Sequence, residues 1–213
     1  MGKLLVKYIS PSKFFYWERC PLKAVYTKMY YGHEIFPVHP NADLGTIIHQ
    51  FYENKKAWKI DSVAAFERKW KELIEGVNHR YVNDHLQKRY YPLQWYTNYY
   101  AVKKAYLKEN ILATRKQAIS SKKRVYEKWI NDDIVGGMID LTILREDKNI
   151  EAIIDFKTGH IFEKKDGKRQ IKEVYSLQMA LYAAVIEKQQ GFLPQLFIGL
   201  SSGLKPCTFS AIL

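Results

Sequence analysis

The sequence predicts an α/β (α+β) fold in which a mixed β-sheet is flanked by helices, in the order α-β-β-β-α-β. Helical periodicity fills the first half of the chain, and short β-branched runs separated by polar turns follow it. The chain has 213 residues, of which 47% are hydrophobic, and this suits one domain with a substantial core. We therefore expect a single domain over residues 1–213, with a helical insert at about 58–120.

The helical pattern is interrupted at identifiable residues. We predict a helix within residues 8–31 that breaks near Pro21, because proline removes a backbone donor. Asp43 is expected to cap a helix over residues 44–58. Amphipathic spacing then predicts helical structure throughout residues 61–120, with a new helix that starts at Pro92.

The strand pattern begins near Lys123 with RVYEKWI, where Val125, Glu127 and Trp129 are expected to share one face. A second strand is predicted over residues 134–144 and a third over 150–157. The remaining elements are a basic loop, a helix over residues 171–190 that ends at Gly191, and a fourth strand over 193–200.

The charge of the chain points to a polyanionic partner. It carries 34 basic and 22 acidic side chains, a formal net charge of +12. An excess of this size favours nucleic acid, since no compact polybasic block lies beside an apolar anchor as membrane binding would require. We expect DNA, single- or double-stranded, as the partner.

Cysteines and apolar runs limit the classes of protein further. Cys20 and Cys207 lie far apart and are too few for a disulfide framework or a four-thiolate metal site. The apolar runs fall short of the roughly 18 residues of a membrane span, and the N-terminal one is too short for a signal peptide. We expect a soluble, intracellular protein of the cytoplasm that binds no membrane.

Two carboxylates and one ammonium are predicted to meet on the sheet. Asp155 and Lys157 lie two residues apart on the third strand, so their side chains point to one face while Ile154 and Phe156 point to the other. The short polar turn before that strand indicates a hairpin, which would bring Asp140 beside Asp155. Folding alone does not favour this arrangement, so it indicates a site for a divalent cation and a phosphate ester.

Basic side chains concentrate in two further places. The loop after the third strand carries five that are expected to contact phosphates: Lys164, Lys165, Lys168, Arg169 and Lys172. The helical insert interleaves aromatic residues with lysines, a pattern found both in helix packing and in single-strand binding. We favour helix packing for its tyrosines and leave its lysines open; they include Lys103, Lys104 and Lys108.

Five motifs in this order resemble the PD-(D/E)XK nuclease superfamily, and its RecB-type and CRISPR-associated exonuclease branch in particular. They are Gly45-Thr46-Ile47-Ile48-His49 on the early helix, Glu127 on the first strand, Gly137-Met138-Ile139-Asp140 on the second, Ile154-Asp155-Phe156-Lys157-Thr158-Gly159 on the third, and Gln178-Met179-Ala180-Leu181-Tyr182 on the last helix. The family's core is restriction-endonuclease-like. Some members hold an iron–sulfur cluster through four cysteines; only Cys20 and Cys207 are present here, so no such cluster is expected.

The resemblance implies a cofactor and its ligands. Mg²⁺ or Mn²⁺ would be held by Asp140, Asp155 and the backbone carbonyl of Phe156, with His49 as an additional ligand. Lys157 would orient or activate the attacking water and stabilise the transition state.

The resemblance also extends the catalytic set. Glu127 would bind a second metal ion or position water. Gln178 and Tyr182 lie four residues apart on one helix face and would orient Lys157 or contact the DNA backbone. Packing in the core is the alternative for both residues, and His49 taken alone has the same alternative.

The resemblance therefore implies a metal-dependent deoxyribonuclease of DNA repair, recombination or replication, with a RecB-like exonuclease favoured. One alternative is a structure-specific endonuclease such as a Holliday junction resolvase, for which a homodimer is the usual state. Another is a nucleic-acid-binding module without catalytic activity. Strand polarity, the preference for DNA over RNA and the preferred metal are left open by the sequence.

Overall fold

The computed structural model describes residues 7–29, 39–52, 60, 62–83, 85–91, 97–105, 107–109, 123–157, 160–200 and 203–205. The expectations for Trp58, for the loop residues Thr158 and Gly159, and for Cys207 lie outside these ranges. Within them, the helices and the mixed sheet follow the predicted order.

Helices occupy the first half of the chain: α1 (Pro11–Arg19), α2 (Pro21–Met29), α3 (Pro40–Tyr52), α4 (Val63–Asn83) and α5 (His85–Tyr90), with further helical backbone at 97–105 and 107–109. The predicted break near Pro21 is confirmed. None of the helices in the described ranges is long and apolar enough to cross a membrane.

One detail of the predicted helices is wrong. Helix α3 begins at Pro40, so Asp43 lies in its first turn and is not its cap. Proline fits the start of a helix because the amide hydrogen it lacks has no partner there. The new helix expected from Pro92 begins outside the described ranges, and Tyr91 directly before it has left the helical conformation of α5.

Within the described ranges the sheet has five strands, in the order β1-β2-β3-β6-β7. Its strands are β1 (Lys123–Asn131), β2 (Gly136–Leu144), β3 (Ile150–Lys157), β6 (Gln195–Leu200) and β7 (Gly203–Lys205), and helix α6 (Glu173–Gln190) connects β3 to β6 together with a small hairpin. Strands β3 and β6 are parallel and the other neighbours antiparallel, which confirms the predicted mixed sheet.

The small hairpin corrects the basic loop expected after the third strand. Residues Phe162–Lys165 form β4 and Lys168–Ile171 form β5, and the two pair with each other. Asp166 and Gly167 between them have φ angles of 52° and 74°. Two successive residues at positive φ make the tight turn that suits a two-residue hairpin, so the strongly charged sequence is still compatible with strand pairing.

The sheet separates two apolar clusters. On one side Phe51 of α3 stacks on Phe66 of α4 at 4.9 Å between ring centroids, and Ile154 and Phe156 of β3 join this cluster. On the other side Met179, Val185 and Ile186 of α6 pack against Ile153 and Ile198. The predicted alternation along β3 is therefore confirmed, with Asp155 and Lys157 on the side of α6.

Strand β1 departs from the predicted alternation. Val125 packs into the cluster on the α6 side, and so does Ile130, although the two positions are five apart and regular alternation would place them on opposite faces. The alternation of side chains between the two faces of β1 is interrupted near Glu127, whose φ of 47° lies in the left-handed region. Trp129, the neighbour of Ile130, is half exposed. The expectation that Val125 and Trp129 share one face is therefore wrong.

Candidate active site

Three acidic residues lie at neighbouring positions on three adjacent strands. Leu141 pairs with Ile154, where the paired register of β2 with β3 ends, and Asp140 and Asp155 are the next residues along. The pairs Tyr126–Leu141 and Lys128–Ile139 flank Glu127 and Asp140. The hairpin expected from the sequence is therefore present, and the carboxylates of Asp155 and Glu127 both act electrostatically on Asp140.

Lys157 and Gln178 form a closed network with Asp155. The ammonium nitrogen of Lys157 lies 2.7 Å from Asp155 Oδ2 and donates a hydrogen bond to Gln178 Oε1 at 3.0 Å. Gln178 Nε2 in turn donates to Asp155 Oδ1 at 3.0 Å. Gln178 and Asp155 are both buried. The glutamine thus fixes the relative positions of the carboxylate and the ammonium.

Asp140 is held from two directions. Its Oδ2 accepts a hydrogen bond from the backbone N–H of Phe156 at 2.6 Å, which ties β2 to the end of β3. Its Oδ1 lies 3.4 Å from His49 Nδ1. His49 comes from α3, on the side of the sheet opposite α6. The structure thus places His49 Nδ1 and the Phe156 N–H against the Asp140 carboxylate, whereas the atom of Phe156 predicted as a ligand is its carbonyl.

The titration of Asp140 and His49 reflects this crowding. Burial is the main cause that raises the pKa of Asp140 to about 8, and the nearby Asp155 carboxylate adds to it. Burial is also the main cause that lowers the pKa of His49, against the opposing effect of Asp155. Two carboxylates this close resist simultaneous ionisation unless positive charge joins them.

Glu127 is strained where it meets the site. Its positive φ is costly for a residue with a side chain, and such outliers persist only where the surrounding structure imposes them. Its carboxylate acts electrostatically on both His49 and Asp140. The strain therefore places a third negative charge near the pair of aspartates.

Tyr182 supports the site from α6. Its hydroxyl donates a hydrogen bond to the Met138 carbonyl at 2.7 Å, two residues before Asp140. Burial raises the pKa of Tyr182 well above its ordinary value. A Cβ added to Gly137 would lie 3.0 Å from the Tyr182 hydroxyl. Gly137 thus permits the close approach of β2 and α6 that this contact needs.

Sequence reasoning missed Tyr175. The Lys157 ammonium lies 5.1 Å from the centroid of its ring. Tyr175 precedes Gln178 by three residues, so both lie on one face of α6. This three-residue spacing from Gln178 could have identified Tyr175 in the sequence. Its ring confines the Lys157 side chain.

The donor set fits a divalent cation. Asp155 Oδ2 is fully buried and, within the described chain, receives no hydrogen bond of regular geometry. Asp140 and Asp155 supply the hard oxygens that Mg²⁺ and Mn²⁺ prefer, and His49 supplies an imidazole nitrogen. Among the described residues no three such groups yet converge as one ion would require, so the complete ligand set and the Phe156 carbonyl stay predictions.

The β4–β5 hairpin carries the basic residues expected to bind phosphate. Lys164 pairs with Arg169 and Lys165 pairs with Lys168 across the hairpin, and all four are exposed. Like charges directly opposite each other destabilise a strand pair. Lys172 follows the hairpin and donates its backbone N–H to Ile161 at 2.8 Å. The hairpin thus presents a concentrated positive surface.

Comparison with known proteins identifies the family of this chain. The model of the PD-(D/E)XK nuclease superfamily matches residues 8–200, which includes every element of the site. Searches of curated proteins and of solved structures give no significant match. The chain therefore belongs to the PD-(D/E)XK nuclease superfamily, whose members are nucleases.

Proposed function

We propose that this protein is a divalent-metal-dependent DNA nuclease that hydrolyses phosphodiester bonds, and that it acts as a RecB-like exonuclease in repair, recombination or replication. The observation that carries the proposal is the network in which Asp155, Lys157 and Gln178 lie within 3.0 Å of one another, beside Asp140. Burying these charged groups costs desolvation free energy, and such arrangements are found where a protein binds a charged substrate.

Asp140 and Asp155 would hold Mg²⁺ or Mn²⁺, with His49 as an additional ligand. The bound ion would supply neutralisation of phosphate charge and activation of water. Lys157 is positioned by Asp155 and Gln178 so that its ammonium meets the phosphate oxygens as negative charge develops. Glu127 positions water or a second ion from the neighbouring strand.

DNA is supported as the substrate by charge. The net charge of +12 attracts a polyanion, and the exposed hairpin concentrates part of it within one small element that follows β3 in the sequence. Its lysines and Arg169 would contact phosphates, which positions the strand without reading its sequence.

The test is cleavage of linear, circular and branched DNA with Mg²⁺, Mn²⁺ or EDTA, with Asp155→Asn as the inactive control. We expect metal-dependent degradation from the ends of linear DNA only. Cleavage of circles or branches would instead identify a structure-specific endonuclease. Binding without cleavage under every metal would contradict the nuclease and leave a binding module.

A further inference from the structure

A cavity of about 450 Å³ opens beside the candidate active site. The side chains that give it its character are Lys7, Tyr8, Ser10, Ser12, Trp129 and Tyr182. Its size falls in the range of sites that hold small ligands. None of these residues except Tyr182 is used by the proposed chemistry.

The segment before α1 builds one wall of this cavity by pairing with the β1–β2 turn. The backbone N–H of Ile9 donates a hydrogen bond to the Ile134 carbonyl at 2.8 Å. The Ile9 carbonyl accepts a hydrogen bond from the Gly136 N–H at 3.1 Å. Tyr8 then meets Trp129 edge to face, with 6.1 Å between ring centroids. The wall is therefore fixed by backbone pairing and by aromatic contact.

The floor of the cavity is formed by backbone. A Cβ added to Gly136 would lie 2.9 Å from the Tyr8 ring and 3.1 Å from the Trp129 ring. A Cβ at Gly137 would meet Pro11 at 2.9 Å. Both glycines let the aromatic rings and α1 pack closely against β2, since any side chain there would displace them.

The chemistry of the lining suits a nucleotide. Trp129 is 50% exposed, although tryptophan side chains are highly buried on average. Lys7 adds an ammonium, and the Ser10 and Ser12 hydroxyls lie 2.9 Å apart, with capacity left for an oxygen ligand. An aromatic face next to a cation and hydroxyls is how proteins bind unpaired nucleotides.

The cavity adjoins the elements that carry the proposed catalytic residues, through Met138 of β2 and Tyr182 of α6. Trp129 pairs with Met138, which precedes Asp140 by two residues on β2. Tyr182 lines the cavity and hydrogen-bonds the Met138 carbonyl, while Gln178 lies one helical turn before it. A strand whose phosphate meets Lys157 would therefore pass its neighbouring nucleotide into this cavity.

We propose that the cavity binds one unpaired nucleotide of the DNA strand being cut, with its base stacked on Trp129 and its phosphate near Lys7 and the two serines. This inference rests on the proposed nuclease function and names its substrate as a single-stranded end. The positive charge of the chain favours an anionic occupant over an uncharged ring. The exposed ring of Trp129 favours a nucleotide base over an acidic peptide. Stacking tolerates every base, so no sequence preference is expected.

The test measures binding of the full chain to a single-stranded oligonucleotide and to a blunt duplex in EDTA, where cleavage is prevented. Trp129→Ala should weaken single-strand binding by roughly 5- to 150-fold, the range for the loss of one base–aromatic stack, and leave duplex binding unchanged. Trp129→Phe should restore most of the loss, and Lys7→Ala should weaken single-strand binding as well.

Leu193→Ala is the matched control, because Leu193 is 48% exposed and precedes β6 at the other end of the sheet. Equal affinity of Trp129→Ala and Leu193→Ala for the single strand would overturn the proposal, and so would an equal loss on both forms of DNA. Tight binding of a peptide or an uncharged aromatic compound that single-stranded DNA does not displace would also overturn it.

A second measurement uses the unaltered protein, in case Trp129→Ala does not fold. Photocrosslinking to an iodouracil-containing single strand, followed by peptide mapping, should mark Trp129 or Tyr8. Marks confined to other peptides would contradict the proposal. If crosslinking marks Trp129 or Tyr8 but no metal supports cleavage, the nucleotide site stands and the proposed nuclease function fails. If the protein cleaves DNA but neither binding nor cleavage depends on Trp129, the nuclease function stands and the nucleotide site fails.

Discussion

At the scale of single residues, the site depends on how one buried ammonium is held. Lys157 is only 19% exposed and contacts Asp155, Gln178 and the ring of Tyr175. A lysine held by three partners loses little further freedom when it meets a phosphate. This preorganisation is the property expected of a group that stabilises a transition state.

The first prediction separates catalysis from metal binding. Lys157→Ala should keep DNA and metal binding but lose about 10²–10³ in cleavage rate, because its proposed role is in the transition state. Asp155→Asn should lose metal affinity and cleavage together, because a neutral amide is a poorer ligand for a hard cation. Single-turnover cleavage and metal titration measure the two effects.

Lys188→Ala is the control for this prediction, since Lys188 is 61% exposed and pairs with Asp133 at 3.5 Å on the surface. It should cleave at the rate of the unaltered protein. If folded Lys157→Ala does so too, at every metal concentration, Lys157 is a structural lysine.

Gln178 supports the second prediction, as a positioning residue. Gln178→Leu keeps the volume of the side chain but removes both hydrogen bonds to the network. By analogy with partners that orient metal ligands, the cleavage rate or metal affinity should fall about 10- to 100-fold. Gln178→Glu should restore part of the interaction with Lys157. The metal affinity of this variant should depend on pH differently from that of the unaltered protein. Unchanged cleavage in both variants would assign Gln178 to core packing alone.

At the scale of elements, the site requires β2 and α6 to approach closely. Gly137 lies where Pro11 of α1 and Tyr182 of α6 meet the strand. Helix α6 is itself ended by Gly191, whose φ of 80° and N–H bond to the Glu187 carbonyl form a left-handed cap. The length and the packing distance of α6 are thus both set by glycines.

The third prediction compares two glycines. Gly137→Ala should lower the free energy of unfolding by about 1–3 kcal/mol, because the added methyl group overpacks a closed contact. Gly76→Ala in α4 meets nothing within 4 Å. It should raise that free energy by about 0.5–1 kcal/mol, since alanine is the better helix former. Denaturant melts measure both; equal stability of the two variants would contradict the close contact.

The turn between β1 and β2 yields the fourth prediction. Asp132 Oδ1 accepts backbone hydrogen bonds from Val135 at 2.7 Å and Ile134 at 2.8 Å, and the bond from Val135 is the main cause that lowers the pKa of Asp132. A lowered folded-state pKa means stability that is present above the unfolded pKa and is lost as pH falls through the folded one.

Asp132→Ala should therefore cost about 1 kcal/mol of stability near neutral pH. The difference from the unaltered protein should shrink as pH falls through the folded pKa. Asp133→Ala is the matched control, because Asp133 is 93% exposed. Thermal melts over a pH series measure this; a cost for Asp132→Ala that stays constant into acid would show that its charge has no part in the turn.

At the scale of the whole molecule, charge is the organising quantity. The net charge of +12 is spread over the chain, but the β4–β5 hairpin places like charges face to face. A protein accepts that cost where a polyanion offsets it. The hairpin follows the strand that ends at Lys157, which places it next to the proposed path of the DNA.

The fifth prediction tests this surface by salt dependence. Replacing Lys164 and Lys165 together by glutamine should reduce the slope of log Kd against log salt by about 0.9 for each lost duplex phosphate contact. Replacing the exposed Lys71 and Lys188 removes the same charge from elsewhere and should leave the slope nearly unchanged. Equal slopes for the two pairs would show that DNA does not contact the hairpin.

The sequence by itself determined the elements with strong local patterns. β3 begins and ends at the predicted residues, and α6 ends before Gly191 as predicted. The placement of Asp155 and Lys157 on one face follows from the pleat of a strand, and Asp140 beside Asp155 follows from the hairpin. These features depend on neighbours close in sequence, so periodicity and turn residues are sufficient to predict them.

Only the tertiary structure decided the remaining features. The approach of His49 to Asp140, the bond from Gln178 to Lys157 and the meeting of Tyr8 with Trp129 join residues on separate elements. Such contacts depend on the distance and orientation at which helices pack on a sheet. The shift at Glu127 also escaped prediction, because sequence alternation assumes regular strand geometry and a residue at positive φ interrupts it.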